Sequence, residues 1–146
     1  MHRGLLLFAH GARDPNWARP FEAVAEQILA AQTSARGEQV QVRLAFLEFM
    51  DPGLLDAAAM LVDAGCERVD IVPLFLGTGG HVRKDLPVLL DKLREQYPRI
   101  EWMLRPAIGE AAQVVDAMAA VALRWVSLGA PDALAPASDN VTPTDR

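Results

Sequence analysis

Two histidines and one glutamate stand where the sequence predicts that strands end. His10 ends the first apolar run, Glu48 ends the second, and His81 follows the third. Imidazole nitrogens and a carboxylate can bind a borderline divalent cation such as Co²⁺, Fe²⁺, Ni²⁺ or Zn²⁺. The same groups can take up and release protons near neutral pH. The three residues therefore indicate metal or acid–base chemistry, and the alternative is that they are ordinary polar residues of loops.

A glycine cluster, GTGG at residues 77–80, stands directly before His81. Because glycine has no side chain, the backbone at Gly79 and Gly80 can lie close to a ligand. The cluster fits neither the phosphate-binding pattern GxxxxGK[ST] nor the dinucleotide pattern GxGxxG, so we expect no nucleotide. A small anion held by this loop, with the histidines as bystanders, is an alternative function.

The elements around these residues alternate regularly between strand and helix. Apolar runs and alternating patterns predict strands at 4–10, 39–48, 68–76 and 100–106. Helical periodicity predicts helices at 17–36, 51–65, 85–97 and 109–129. Pro20 is expected in the first turn of the first helix, and Asp51 and Asp85 are expected as the N-caps of the second and third. Pro73 lacks a backbone donor, so we expect an edge or bulged position there.

This β-α order, repeated four times, predicts an α/β fold with a four-stranded, mainly parallel sheet and helices on both faces. In such sheets, ligands bind beyond the carboxyl ends of the strands. His10, Glu48 and His81 would all lie at that edge, on three different strands. Their convergence is the strongest functional signal that the residues themselves carry.

Length and composition limit the possible functions further. The chain has 146 residues, which predicts a single domain, 1–129, followed by a disordered proline-containing tail, 130–146. A net charge of −5 provides no basic field for nucleic acid or an anionic membrane. Cys66, the only cysteine, is expected to be packed and reduced, and no run is long enough to span a bilayer. We therefore expect a cytoplasmic protein.

Three segments together resemble the short, single-domain sirohydrochlorin chelatases, which belong to the ATP-independent (class II) tetrapyrrole chelatases. These segments are LLLFAHGARDP, FLEFMDP and VPLFLGTGGHVRKDLP, and the resemblance covers about residues 4–125. Ala12 stands where that family often has serine. The resemblance implies insertion of Co²⁺ or Fe²⁺ into sirohydrochlorin, in cobalamin or sirohaem biosynthesis, with Ni²⁺ left open. It places the metal site on His10 and His81 and the carboxylate on Glu48.

The resemblance also implies partners. A substrate with many carboxylates needs local cations near the strand ends, and the candidates are Arg13, Arg83, Lys84 and Arg105. Longer relatives carry two such α/β halves that face one cleft, and this chain corresponds to one half. The resemblance therefore implies a homodimer whose cleft lies between the subunits, and the apolar fourth helix agrees with this. A non-enzymatic metal-binding or metal-delivery protein that uses the same three residues is the alternative to an enzyme.

Overall fold

The structure, a computed structural model, describes residues 2–34, 37–77, 79–130 and 132–134, without the side chains of residues 33, 34 and 81. Its strands are β1 (Arg3–Ala9), β2 (Gln41–Phe46), β3 (Arg68–Pro73) and β4 (Glu101–Leu104). Its α-helices are α1 (Arg19–Ser34), α2 (Leu54–Asp63), α3 (Gly80–Gln96) and α4 (Ala112–Leu128). Short 3₁₀ turns precede α1 at Pro15–Ala18 and α4 at Ile108–Glu110.

The four strands form one parallel sheet in the order β2-β1-β3-β4. The predicted α/β class, with four β-α units, is confirmed. β1 is central because it is apolar on both faces, and Leu6, Leu7 and Phe8 are all buried. The register pairs Ala9 with Phe46 of β2, so the residues that follow β1 and β2 emerge side by side.

Helices cover the two faces of the sheet unequally. On one face, α2 and α3 bury the larger core, whose members include Leu6, Phe8, Val69 and Ile71 of the sheet and Leu61, Leu86, Leu90 and Leu93 of the helices. On the other face, α1 packs over β1 and β2 through a smaller cluster that includes Ala9, Phe46 and Phe21. α4 has no buried residue.

β3 is not an edge strand, because it lies between β1 and β4, but Pro73 itself lies at the end of β3, where only β1 still pairs with it. Pro73 pairs with Phe8 at the last position of β3, and the pairing with β4 already ends at Ile71 and Leu104. The amide of Leu74 bonds to the Phe8 carbonyl, so the missing N–H of Pro73 faces the side where β4 has ended. A central strand can therefore carry proline here without losing a ladder bond.

Two predicted helix starts are wrong. α2 begins at Leu54 with Gly53 as its N-cap, not at Asp51, because the following proline favours an extended conformation at that residue. α3 begins at Gly80, so Asp85 lies inside the helix and not at its cap. The first helix starts close to prediction, with Pro20 in its first turn, and the second ends before Gly65, which has a φ of +83°.

The predicted tail, 130–146, falls mostly outside the described residues. Among the helices that the structure describes, none combines the length and the apolar character needed to cross a membrane.

Candidate functional site

His10 and Glu48 form a pair at the carboxyl edge of the sheet. The Nε2 atom of His10 lies 3.5 Å from the Oε1 atom of Glu48. About half of each side chain is exposed, 49% for His10 and 48% for Glu48, so an ion in solution can reach both. Two of the three predicted site residues are therefore brought together by neighbouring strands.

Backbone hydrogen bonds hold the two residues of the pair in register beyond the ends of their strands. The Leu47 amide donates to the Ala9 carbonyl at 2.9 Å, and the Glu48 amide donates to the His10 carbonyl at 3.1 Å. Gly11 follows with a φ of +91°, and a Cβ atom there would lie 1.9 Å from the Glu48 carbonyl oxygen. Only glycine permits both this conformation and this close approach.

Phe75 supports the His10 ring from the side of β3. The two rings meet edge to face, with centroids 5.9 Å apart at an interplanar angle of 72°. Phe75 is itself 7% exposed and makes a similar contact with Phe8 in the core. His10 therefore has one apolar wall, which orients the imidazole, and one acidic neighbour.

The loop after β2 places an aromatic ring beside the pair. Phe49 has a φ of 64°, which is uncommon for a bulky residue, and its side chain is 59% exposed. The Arg13 guanidinium lies 5.1 Å from the centre of this ring, in a cation–π contact. Both residues line an open cavity of about 310 Å³ between the loops that follow β1 and β2.

The glycine cluster lies at the start of α3. Gly79 is the N-cap and Gly80 the first helical residue, which places the backbone of His81 in the first helical turn. The His81 side chain lies outside the described residues. A Cβ atom on Gly79 or Gly80 would meet nothing within 4 Å, so open space surrounds this backbone.

Two of the predicted cations also lie in the first turns of α3. Arg83 and Lys84 are exposed, and the Arg83 amide donates to the Gly79 carbonyl. The N-terminus of a helix carries unpaired amides and a partial positive charge, which adds to the charge of these two side chains. This end of α3 is therefore electropositive, although the whole chain is acidic.

Arg105 has a different environment from the other predicted cations. Its Nε atom donates to Oδ1 of Asp70 at 2.7 Å, and Asp70 is 8% exposed. Arg3 and Arg68 approach the other oxygen of Asp70 at 3.4 and 3.7 Å. Arg105 thus neutralises a buried carboxylate on the sheet.

The structure adds two positioning residues that the sequence analysis did not identify. Gly11 carried a signal, since it directly follows the candidate histidine, whereas Phe75 looked like any other apolar residue of its run. Among the described side chains, no three of His, Cys, Asp and Glu converge as ligands for a metal. The described part of the site is therefore a histidine–glutamate pair, with an apolar wall on one side.

This pair can perform two kinds of chemistry. An imidazole nitrogen and a carboxylate oxygen can bind a divalent cation together. Alternatively, the imidazole can accept a proton, and the adjacent carboxylate then stabilises the imidazolium.

Comparison with known proteins connects this arrangement to one family. The family model described as CbiX matches residues 4–123. The sirohydrochlorin cobaltochelatase of Saccharolobus solfataricus is 37% identical over 87 residues, which are 60% of this chain and 62% of that protein. The matched region is thus less than two thirds of the length of that curated relative.

Two solved structures resemble the fold along most of the chain. A CbiX protein of cobalamin (vitamin B12) biosynthesis from Marinobacter aquaeolei superposes with a TM-score of 0.72 at 27% identity, covering 86% of this chain and 98% of that one. The sirohydrochlorin chelatase SirB of Bacillus subtilis subspecies spizizenii, in complex with cobalt, has a TM-score of 0.71 at 26% identity. That match covers 88% of this chain but 51% of SirB.

Proposed function

The chain belongs to the CbiX family, and on this premise we propose that it inserts a divalent metal, Co²⁺ or Fe²⁺, into sirohydrochlorin without ATP. The resemblance of its three sequence motifs to the sirohydrochlorin chelatases is confirmed by the family model, which matches residues 4–123. The observation that carries the proposal is the His10–Glu48 pair, half-exposed at the edge where an α/β sheet binds its ligands.

Insertion replaces two pyrrole N–H protons by one divalent ion, so the site must accept two protons for every metal that it delivers. His10 can take one proton at Nε2, and Glu48, 3.5 Å away, compensates the positive charge that forms. The same two groups can replace water on the incoming ion. His81 is proposed as the second imidazole, because α3 starts directly beyond β3 at the same edge of the sheet.

The proposed substrate is an anion with many carboxylates, and the residues proposed to contact it are on two loops. Arg83 and Lys84 lie at the electropositive start of α3, and Arg13 contacts Phe49, the residue that follows Glu48. Gly79 and Gly80 leave space for a bulky ligand to approach the backbone. Cobalt is named for the Saccharolobus relative and for one SirB structure, and iron is named for a sirohydrochlorin ferrochelatase of Priestia megaterium and for a SirB structure with Fe³⁺. Nickel is a further candidate metal.

We also propose a homodimer as the functional unit, with its cleft between the carboxyl edges of two copies. This chain matches 51% of SirB but 98% of the Marinobacter protein, so chains of one half and of two halves share the fold. A second copy would supply the missing half of a cleft. We also propose that the protein is cytoplasmic and that residues 130–146 form a tail outside the domain of residues 1–129.

The experiment that tests the function is an absorbance time course of the purified full chain with sirohydrochlorin and Co²⁺, repeated anaerobically with Fe²⁺. We expect acceleration over the spontaneous reaction with at least one metal. His10→Ala and His81→Ala should each lower the rate by about 100-fold, the usual contribution of a positioned acid–base group. Faster insertion of Co²⁺ would indicate a role in cobalamin biosynthesis, and faster insertion of Fe²⁺ a role in sirohaem biosynthesis.

His2→Ala is the matched control, since this exposed histidine precedes β1 at the opposite edge of the sheet. It should leave the rate unchanged. Metal binding by the full chain without any acceleration would reject the chelatase and support the metal-binding or delivery protein. A small anion bound equally well by the wild type and both histidine variants would instead support the anion-binding alternative.

A further inference from the structure

Phe49 combines two features that are unfavourable for an ordinary loop residue. Its φ of 64° lies in the left-handed region, which a bulky side chain rarely adopts, and its ring is 59% exposed. The turn is tight, because the Met50 amide donates to the Glu48 carbonyl at 2.9 Å across Phe49. A three-residue turn with a positive φ at its centre is the rare and strained form. Glycine would relieve this strain, so the turn alone does not explain an aromatic ring here.

The core does not explain the ring either. Neither of the hydrophobic clusters that the described residues form includes Phe49, although its neighbours Leu47 and Met50 each pack against one of them. The ring instead contacts the Arg13 guanidinium, which lies 5.1 Å from its centre. Residues held in strained conformations cluster at active sites and ligand clamps, where binding compensates their cost. These observations favour a role for the ring in binding a ligand.

The turn that carries the ring is attached directly to the metal pair. Phe49 follows Glu48 in the chain, so their Cα atoms are about 3.8 Å apart. The Glu48 carbonyl accepts the Met50 amide, and the same carbonyl oxygen lies against Gly11, which follows His10. The backbone that aligns His10 with Glu48 therefore also fixes the position of Phe49.

The surface around the ring suits a ligand that is flat and anionic. Phe49 offers an aromatic face, on which conjugated rings stack. Arg13 offers a guanidinium, which pairs with carboxylates. The open cavity of about 310 Å³ that both residues line also includes Glu22 and Asp51, which disfavour a carboxylate on their side of the cavity. A ligand with an aromatic face and carboxylates on its rim would therefore place a carboxylate beside Arg13.

We propose that the tetrapyrrole macrocycle stacks on Phe49 and that Arg13 binds a carboxylate on its rim. Stacking holds the flat ring next to Glu48, where the pyrrole protons leave. This role rests on the proposed function, because it assigns a residue that recognises the same substrate. Stacking needs no metal, so the macrocycle should bind before the metal arrives and with an affinity that depends on Phe49.

Titration of the purified full chain with sirohydrochlorin, without metal and under anaerobic conditions, measures this binding step by the change in tetrapyrrole absorbance. Phe49→Leu keeps an apolar side chain but removes the aromatic face, so the dissociation constant should rise by about 10-fold or more. Phe49→Tyr restores the aromatic face and should bind within about 3-fold of the wild type. Met60→Ala is the matched control, since Met60 is a 46% exposed apolar residue on α2, outside the cavity.

Kinetics of metal insertion separate binding from chemistry. Phe49→Leu should raise the KM for sirohydrochlorin by about 10-fold or more, while kcat and the KM for Co²⁺ stay within about 2-fold, because the ring contacts the macrocycle in the ground state and the transition state alike. Arg13→Gln should weaken the dependence of sirohydrochlorin binding on salt, and Phe49→Leu should leave that dependence unchanged. A fall in kcat with an unchanged dissociation constant for the metal-free macrocycle would overturn the proposal.

Phe49→Gly tests whether the ring is kept for binding or for the fold. Because glycine adopts the left-handed conformation freely, the urea midpoint should equal or exceed that of the wild type. The affinity for sirohydrochlorin should fall as it does in Phe49→Leu. A lower urea midpoint together with unchanged affinity would assign the ring to packing, and the proposal would be wrong.

Failure of the stacking and failure of the reaction give different results. If the wild type binds sirohydrochlorin and inserts the metal, and Phe49→Leu matches it in both, the stacking is rejected and the proposed function stands. If the wild type binds sirohydrochlorin in a way that depends on Phe49 but does not accelerate insertion, the reaction is rejected and the stacking stands. A wild type that binds no sirohydrochlorin rejects both.

Discussion

Gly11 lies against the backbone of Glu48, and this contact sets the distance between the two polar side chains of the site. A Cβ atom at Gly11 would lie 1.9 Å from the Glu48 carbonyl oxygen, and the φ of Gly11 is +91°. Gly11→Ala should therefore destabilise the fold by at least about 2 kcal/mol, from backbone strain and displacement together. It should also slow metal insertion by about 10-fold or more, because His10 and Glu48 move apart.

Gly65→Ala is a control that separates the loss of stability from the displacement of the site. Gly65 has a φ of +83°, but a Cβ atom there would meet nothing within 4 Å. Urea unfolding should show a cost of about 1–2 kcal/mol from the left-handed conformation, and the insertion rate should not change. Equal insertion rates for the two variants would show that the Gly11 contact does not position the site.

Phe75→Leu tests the apolar wall of the site. The substitution removes two edge-to-face contacts, with His10 and with Phe8, and should destabilise the fold by about 1 kcal/mol. Because a positioning residue acts on the orientation of His10, we expect kcat for insertion to fall while KM for the metal stays within about 2-fold. Steady-state kinetics with varied Co²⁺ measures both constants.

The control for Phe75→Leu is Ile71→Val. Ile71 is 1% exposed in β3, the strand that leads to Phe75, and its substitution should cost a similar free energy of unfolding, about 0.5–1.5 kcal/mol. Its kcat should remain at the wild-type value. A fall in kcat common to both variants would attribute the effect of Phe75→Leu to stability alone.

Arg105→Ala should reveal a structural role for this arginine. The substitution removes the nearest cation from the buried Asp70 carboxylate, although Arg3 and Arg68 remain nearby. We expect a loss of about 1–2 kcal/mol of unfolding free energy, reduced by the partial exposure of the arginine. The KM for sirohydrochlorin should not change.

The matched control for Arg105→Ala is Arg94→Ala, which breaks an exposed pair with Asp91 on α3. An exposed pair contributes at most about 1 kcal/mol, so the change in urea midpoint should be small. An increased KM for sirohydrochlorin with Arg105→Ala, at unchanged stability, would return this arginine to the substrate site.

Cys66 should be unreactive in the folded protein. Burial raises the pKa of this thiol, and the Arg43 charge offsets only part of the increase. The native state therefore keeps the proton at pH values where the unfolded chain loses it, above about 8.5. The contribution to stability is complete below that pH and is lost as the pH rises further.

Two measurements check the behaviour of Cys66. Labelling with a chromogenic disulfide reagent should be slow at pH 7 and become rapid in urea. The unfolding free energy should fall between pH 8 and pH 10 in the wild type, and it should fall less in Cys66→Ala. Rapid labelling of the folded protein at neutral pH would contradict the buried position of the thiol.

The fold was largely predictable because its strands are apolar runs or alternating patterns that differ clearly from the helical periods between them. Leu6, Leu7 and Phe8 are apolar on both faces of β1, and such a run specifies a buried strand without knowledge of its neighbours. The position of His10 and Glu48 at one edge follows from parallel strands alone. Their 3.5 Å separation does not, because it depends on the register of β1 with β2 and on the contact at Gly11.

The start of α3 was not predicted because its cap has no side chain. Gly79 gives none of the usual polar capping signals, whereas Asp85 does. The apolar repeat of Val82, Leu86, Leu90 and Leu93, all buried, extends one turn before Asp85 and would have located the start correctly. The exposure of α4 could not be predicted from its sequence, because an apolar period shows that a helix has an apolar face but not which surface that face packs against.

The central position of β1 has a consequence for the kinetics of the site. β1 has ladder partners on both sides, so its amides should exchange with solvent only when the whole domain unfolds. Glu48 lies two residues beyond β2, an edge strand, in a segment that can open at a lower free energy. We therefore expect His10 to be the more stationary member of the pair and Glu48 the more mobile one, so that a local opening beyond the end of β2 admits a ligand while the hydrogen bonds of the sheet stay intact.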